Sequence, residues 1–196
     1  MSRFLEALNE NKGEISAESI PNLIQSLKER LHAERAHVVV QFPYFMTKAA
    51  PVTGKTGMMD YQVKFDANCA GDFILQVQVP VTTLCPCSKE ISDYGAHNQR
   101  GLVTANIRMS EMIWIEEVVR MIESCASCDL YPVLKRPDEK WVTERAYNNP
   151  RFVEDMVREV AMVFDKDSRI TWYSIEVENF ESIHAHNAYA FLERQK

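Results

Sequence analysis

No stretch of this sequence is apolar for the roughly 18 to 20 residues that a bilayer-spanning helix needs. Its opening, Met1 to Glu6, places an acid where a signal peptide carries a long apolar run. A cytoplasmic location with no membrane partner is the expectation. Six glycines and eight prolines punctuate the 196 residues without any low-complexity tract, and no repeat recurs at a solenoid period, so collagen-like and solenoid architectures are set aside. Cysteine is sparse and odd in number: Cys69, Cys85, Cys87, Cys125 and Cys128. A chain of this size needs no disulfide staples, which favours reduced thiols, some of them available to a metal. An excess of positive charge is also missing. The 22 basic residues face 28 acidic ones, for a formal charge of −6 with both signs interspersed, which argues against a nucleic-acid partner and leaves room for a local basic pocket.

What is present is a 46% apolar composition, enough for a substantial core. Leu23, Leu27 and Leu31 recur at four-residue intervals and predict an amphipathic helix over about 20–35, with Pro21 tolerable in its first turn. His37 to Phe45 is β-branched and aromatic and reads as a strand, whose Pro43 implies an edge, a bulge or the strand's end. Met59 to Asn68 and Phe73 to Val81 alternate as two strands of a hairpin around Ala70, Gly71 and Asp72. Gly101 to Met109 reads as a strand through Val103, Ala105 and Ile107, and Met112 to Ser124 as a helix. Arg136 to Lys140 reads as a charged loop entering a short helix. Pro150 opens a longer helix to Phe164 with Phe152, Met156, Val160 and Val163 in step. Ile170 to Val177 returns to strand, and the residues after Leu192 are expected to fray. Helices segregated against a largely antiparallel sheet make the fold class α+β. No composition break divides the chain, so residues 1–196 read as one unit.

Gly54-Lys55-Thr56 resembles the end of a phosphate-cradling loop, but Ala49 and Ala50 stand where its earlier glycine is required, so an inter-strand loop is the better reading. The dense chemistry lies in Thr82 to Arg100, which packs two thiols, an imidazole, a lysine and an arginine around proline and glycine. Cys85, Cys87 and His97 do not have the two-pair spacing of a closed structural zinc site. A catalytic metal needs about three protein ligands and an open position. Cys85 and His97 offer two, and His184 or His186 can complete the set. Sulfur and nitrogen donors suit zinc or iron, and an added carboxylate makes manganese acceptable. Cys125 and Cys128 read as half a zinc site, a redox pair or small core residues, the last favoured by their place at the end of an amphipathic helix. Cys69 is read as core too, and His32 and His37 as capping or surface groups.

The run Leu84-Cys-Pro-Cys-Ser-Lys-Glu-Ile-Ser-Asp-Tyr-Gly-Ala-His-Asn-Gln-Arg100 closely resembles the type IB GTP cyclohydrolase family. Further family-like blocks occur at Leu134 to Lys140, Val142 to Tyr147, Asn149 to Met156 and Glu181 to His184, so the resemblance covers almost the whole chain. It implies hydrolytic opening of GTP at C8 and loss of formate, giving 7,8-dihydroneopterin triphosphate, the first step toward tetrahydrofolate-type pterins. It also implies a divalent metal (Zn, Mn or Fe) held by Cys85, His97, Glu139 and His184, with Cys85 and His97 at the catalytic centre. Glu154 matches the carboxylate that anchors the guanine edge, and Lys89, Arg100 and Arg145 are candidates for the triphosphate. The implied fold is the tunnelling fold, in a homotetramer whose subunits join their sheets. The family pattern carries an upstream segment with further strands, which would make this chain two tandem modules with the first shortened, and Cys125 departs from that pattern. Two other readings stay open: a related archaeal-type cyclohydrolase with a cyclic-phosphate product, and a non-enzymatic metal-binding protein using Cys85, Cys87 and His97.

Overall fold

The computed structural model describes residues 4–6, 9 and 16–196. Seven strands form one sheet, β1 (His37–Ala49), β2 (Thr56–Asn68), β3 (Phe73–Leu84), β4 (Asn98–Met109), β5 (Cys128–Asp129), β6 (Ile170–Asn179) and β7 (Ala188–Gln195). Every pairing is antiparallel, in the order β1-β2-β3-β4-β6-β7, with the two-residue β5 added beside β3. The helices are α1 (Ile20–Leu31), α2 (Pro86–Ile91), α3 (Ile115–Cys125), α4 (Arg136–Asn148) and α5 (Val153–Lys166).

Side-chain alternation decides which face of the sheet is covered. Tyr61, Val63 and Phe65 of β2, Leu75, Val77, Val79 and Val81 of β3, Val103, Ala105 and Ile107 of β4, and Tyr173, Ile175 and Val177 of β6 join one buried cluster. The apolar stripes of α1, α3 and α5 complete it. The opposite face is polar and half-exposed. There Gln76 Nε2 donates to Asn106 Oδ1 at 2.7 Å and Asn106 Nδ2 donates to Ser174 Oγ at 3.0 Å, a ladder crossing β3, β4 and β6. Helices on one side of an antiparallel sheet are the α+β architecture that the sequence predicts.

Three helices begin alike. A carboxylate in the first turn reaches back to the N–H just before the helix: Glu117 to Trp114 at 2.9 Å, Asp138 to Lys135 at 2.9 Å and Asp155 to Phe152 at 3.0 Å. This is half of a capping box and places negative charge on the positive end of the helix dipole. It also explains two departures from expectation. Arg136 to Lys140 is the first turn of α4, not a loop, because Asp138 caps it. Phe152 caps α5 from outside and is exposed, and the buried stripe runs instead through Val153, Met156, Val157, Val160, Ala161 and Phe164. The residues after Leu192 do not fray: β7 pairs through Gln195 opposite Trp172, and Lys196 N–H donates to Thr171 O at 2.9 Å. Helix α1 stops at Leu31, where His32 adopts a left-handed conformation and closes it. His37, on the surface of the edge strand β1, faces Asp66 at 2.6 Å.

A charged group of α3 is buried against the core strands. Glu123 of α3 accepts from Lys48 Nζ of β1 at 2.6 Å and from the Tyr61 hydroxyl of β2 at 2.9 Å, and Lys48 also meets Asp129 of β5 at 3.1 Å. Burial raises the Glu123 carboxyl above its usual range, and the hydrogen bonds from Lys48 and Tyr61 pull against that rise. The cluster ties α3 to three strands, and its strength depends on every member being paired. Lys48→Met leaves Glu123 without its cation, which is expected to cost about 3–5 kcal/mol in urea unfolding. The double variant Lys48→Met/Glu123→Gln is expected to recover much of that loss. A single variant as stable as the parent would show that the pair contributes nothing.

Candidate active site

The site is assembled where β3 ends and β4 begins. Leu84 pairs with Asn98, and Cys85 N–H continues the ladder by donating to His97 O at 3.1 Å, so the excursion over residues 86–96 between thiol and imidazole starts and finishes at one place. Within it, Pro86 opens the one-and-a-half-turn α2, and Gly95 takes the positive φ of 71° that lets the chain return. Ser88 fastens the excursion to itself. Its N–H donates to Cys85 Sγ at 3.5 Å, its hydroxyl donates to Cys85 O at 3.1 Å, and the same hydroxyl accepts from His97 N–H at 3.2 Å.

The loop between β6 and β7 brings the other imidazoles. The His97 and His184 rings stand edge to face with centroids 6.4 Å apart, and His184 stacks on His186 at 5.3 Å. With metal–nitrogen bonds of about 2.0–2.1 Å and a tetrahedral angle, two ligating rings have centroids roughly 5.3 Å apart. His97 and His184, at 6.4 Å, must therefore draw closer by about an ångström to share one such ion. Among the described residues, no three His, Cys, Asp or Glu side chains converge closely enough to hold an ion as they stand. As a donor set, the half-buried Cys85 thiol and the His97 and His184 imidazoles fit zinc or iron chemistry.

The remaining candidates lie on the helices that follow. Glu139 is exposed in the first turn of α4, next to Asp138. Asp138 is fully buried and accepts from Val52 N–H and Thr53 N–H at 2.9 Å each and from the Thr53 hydroxyl at 2.7 Å, besides capping its own helix. Burial opposes its ionisation, but these hydrogen bonds outweigh burial and hold its carboxyl down at about 2. The start of α4 is thus pinned to the β1–β2 turn, and that is the role of the Pro51 to Gly57 segment in place of phosphate binding. Glu154 is exposed in the first turn of α5, behind Arg151, whose N–H donates to Leu84 O at 3.0 Å. The α4–α5 junction is therefore stitched to the residue that precedes Cys85.

Of the cations, Lys89 is engaged: its ammonium donates to Tyr147 O at 2.6 Å and lies 4.4 Å from the centre of the Tyr147 ring. Arg100 and Arg145 are exposed. Arg100 lines a cleft of about 570 Å³ on the polar face of the sheet, together with Gln62, Gln78, Leu102, Asp129 and Tyr131. Cys85, His97 and Glu139 are not among the residues lining this cleft, which meets the segment from Cys85 to Arg100 at Arg100 alone.

Cys125 and Cys128 are buried, with burial pushing each thiol up to about 11, and Asp129 adds to the rise at Cys128. They are core residues, as their helical setting predicts. Cys69 also packs against the core, its sulfur accepting from Ala36 N–H at 3.4 Å. Three site residues escape a reading by reactive-group spacing: Ser88, Thr83 and Gln99. The signal for Gln99 is positional, since it falls on the apolar parity of β4 with Val103, Ala105 and Ile107. In mildly alkaline buffer, Cys87, the exposed thiol, is expected to alkylate first, with Cys125 and Cys128 modified only after denaturation. Peptide mapping by mass spectrometry checks this, and early labelling of Cys125 or Cys128 would contradict the burial.

The model of the family described as type I GTP cyclohydrolase folE2 matches residues 1–190. Among similar proteins, the GTP cyclohydrolase FolE2 of Magnetococcus marinus is 58% identical over 196 residues, covering 98% of this chain and 74% of the relative. Those of Nitrosococcus oceani and Azoarcus sp. are 53% and 54% identical, each covering 100% of this chain and 74% of the relative. In shape the chain is similar to a hyperthermostable urate oxidase mutant from Bacillus sp. TB-90, with a TM-score of 0.56 at 9% identity, over 100% of this chain and 76% of that one. It is also similar to the uricase from Arthrobacter globiformis, with a TM-score of 0.51 at 9% identity, over 97% of this chain and 74% of that one. At such identity the likeness speaks for the fold alone, which is a tunnelling fold.

Proposed function

The chain belongs to the type I GTP cyclohydrolase folE2 family, and from that membership we propose that it hydrolyses GTP to 7,8-dihydroneopterin triphosphate and formate, the first step of folate-type pterin synthesis. The observation that carries this reading is the family match along nearly the full chain. No described helix is long and apolar enough to cross a membrane, and a cytoplasmic location is proposed from the biosynthetic activity alone.

The proposed metal ligands are Cys85, His97, Glu139 and His184. When bound, a divalent cation supplies Lewis acidity that lowers the pKa of water next to the guanine C8. The chain's own residues supply the rest. Cys85 as thiolate and His97 through its ring nitrogen fix where that chemistry occurs, and the backbone bond between them keeps their spacing. Glu154 accepts hydrogen bonds from the guanine N1–H and exocyclic amine, donors that adenine does not present in that arrangement. Arg100 and Arg145 neutralise the triphosphate, and Lys89 joins them only by leaving Tyr147. Protons moving to the ring nitrogens of the opening purine need an acid within hydrogen-bond reach, a role suited to imidazole.

Turnover of GTP by metal-stripped protein reloaded separately with zinc, manganese and iron, with the product identified by mass, tests the reading. Loss of turnover on stripping and its return with one of the three are expected. A metal-loaded protein that binds no GTP would favour the metal-binding alternative, and a cyclic-phosphate product would favour the archaeal-type one.

Glu154→Gln turns one acceptor into a donor at constant size, and loss of a hydrogen bond to a charged group is worth about 1.5–3 kcal/mol. The expected result is a roughly 10- to 100-fold fall in kcat/KM with metal content unchanged. Equal turnover and GTP affinity in variant and parent would remove Glu154 from the substrate site.

A homotetramer is the proposed assembly. The sheet ends in two edges, β1 and β7, whose unpaired backbone groups favour pairing with another copy. Light scattering coupled to size exclusion, on metal-loaded protein at several concentrations, is expected to give the tetramer mass. A persistent monomer would overturn it.

A further inference from the structure

The His97 side chain is held by a residue that the spacing of reactive groups does not reveal. Gln99 is a buried amide, 7% exposed, at a β4 position whose parity otherwise carries Gly101, Val103, Ala105 and Ile107. Burying an amide among apolar neighbours costs free energy unless its groups are paired. Here both ends are paired. Gln99 Nε2 donates to the hydroxyl of Thr83, its cross-strand partner on β3, at 2.9 Å, and Gln99 Oε1 faces His97 Nδ1 at 3.1 Å. Thr83 is itself fully buried, so this hydrogen bond is shielded from water.

We propose that Gln99, braced by Thr83, is a positioning residue that fixes the ring and the tautomer of His97. With its amide nitrogen committed to Thr83, Gln99 presents its carbonyl oxygen to the ring, and a carbonyl accepts only from an Nδ1 that carries the proton. That leaves Nε2 with its lone pair free. The other polar groups of His97 are spoken for: its N–H donates to Ser88 Oγ and its carbonyl accepts from Cys85 N–H. Nε2 is thus the one polar atom of the residue left for a ligand, with the ring plane set by a buried amide and not by the exposed loop. An imidazole ligand whose second nitrogen donates to a fixed acceptor is both oriented and made more basic. Close packing leaves the bracket little freedom. A Cβ on Gly101, the next residue on the same face, would stand 2.7 Å from Asn179 Oδ1 and 3.6 Å from the Thr83 methyl group.

The metal half of this inference rests on the proposed ligand set, whereas the tautomer half does not, and the test separates them. In metal-free protein labelled with 15N-histidine, kept in mildly alkaline buffer, long-range 15N–1H correlation spectra are expected to show His97 protonated at Nδ1. Gln99→Leu is expected to release it toward the Nε2-protonated form that free neutral imidazole prefers. Gln99→Glu, which keeps an acceptor at the same place, is expected to retain the Nδ1–H form. Zinc affinity measured by chelator competition should fall about 10- to 100-fold in Gln99→Leu and be restored in Gln99→Glu. If Gln99→Leu does not fold, Thr83→Val, which frees the amide while keeping the side-chain shape, should give a mixture of tautomers. An Nε2-protonated His97 in the parent, or an unchanged tautomer in both Gln99→Leu and Thr83→Val, would overturn the proposal. An Nδ1–H ring that responds to Gln99 while zinc affinity ignores His97→Ala would remove His97 from the metal site and leave its control by Gln99 standing.

Discussion

Antiparallel pairing of β3 with β4, unbroken from Leu75 opposite Ile107 to Leu84 opposite Asn98, fixes the geometry of the site. Side chains in a strand alternate faces, so a slip of one residue would turn Val77, Val79, Val103 and Ala105 out of the core, and the hydrophobic cost holds the register. The same register sets Thr83 opposite Gln99 and carries Cys85 to His97 as the next rung beyond the strand. The thiol and the imidazole are thus spaced by the core, through backbone hydrogen bonds, although both lie at its rim. The excursion between them can be exposed without loosening the ends that matter.

The second half of the site is fixed by other means. Glu139 and Glu154 sit on exposed first turns, and exposed carboxylates have no packing of their own to hold them. What holds them is the start of each helix. Asp138, completely buried, anchors α4 to the β1–β2 turn through three hydrogen bonds and caps its own helix with a fourth. Asp155 caps α5, and Arg151 N–H ties that helix to Leu84. In each case the residue proposed to meet a ligand neighbours one satisfied by the fold. This division lets a side chain keep its capacity to bind while its Cα position is set, which is the preorganisation that a polar site needs.

The sequence makes the alternating strands legible, because period-two burial of Tyr61, Val63, Phe65, Val103, Ala105 and Ile107 is a direct product of one covered face. The thiol and imidazole are legible as chemistry because cysteine and histidine are rare and their clustering stands out. Two kinds of feature are not. The start of α4 carries few apolar residues, so nothing periodic distinguishes its first turn from a charged loop, and only the reach of Asp138 back to Lys135 makes it helical. The end of β7 looks polar and terminal, yet backbone pairing with β6 is indifferent to side-chain polarity. Gln99 lies between these cases. It breaks the apolar parity of its strand, a visible anomaly, but its partners Thr83 and His97 are distinguished only once the strands are paired.

Charge raises the last question, since an acidic chain must accept a triphosphate. Much of its positive charge is already committed: Lys48 to Glu123 and Asp129, Arg108 to Asp72, Arg158 to Asp155, Arg169 to Glu117 and Asp167, and Arg194 to Asp165. A cation paired in this way presents little net field to a ligand. Arg100 and Arg145 have no salt bridge to a described residue and are exposed, one at the mouth of the cleft on the polar sheet face and the other in the last turn of α4. Because screening confines exposed charges to within about 8–10 Å at ordinary salt, the overall charge of −6 matters less to a bound polyanion than the cations that lie next to it, a part proposed here for these two side chains. The fold thus neutralises several cations with its own carboxylates and leaves Arg100, three residues beyond His97, and Arg145 without a salt bridge to a described residue.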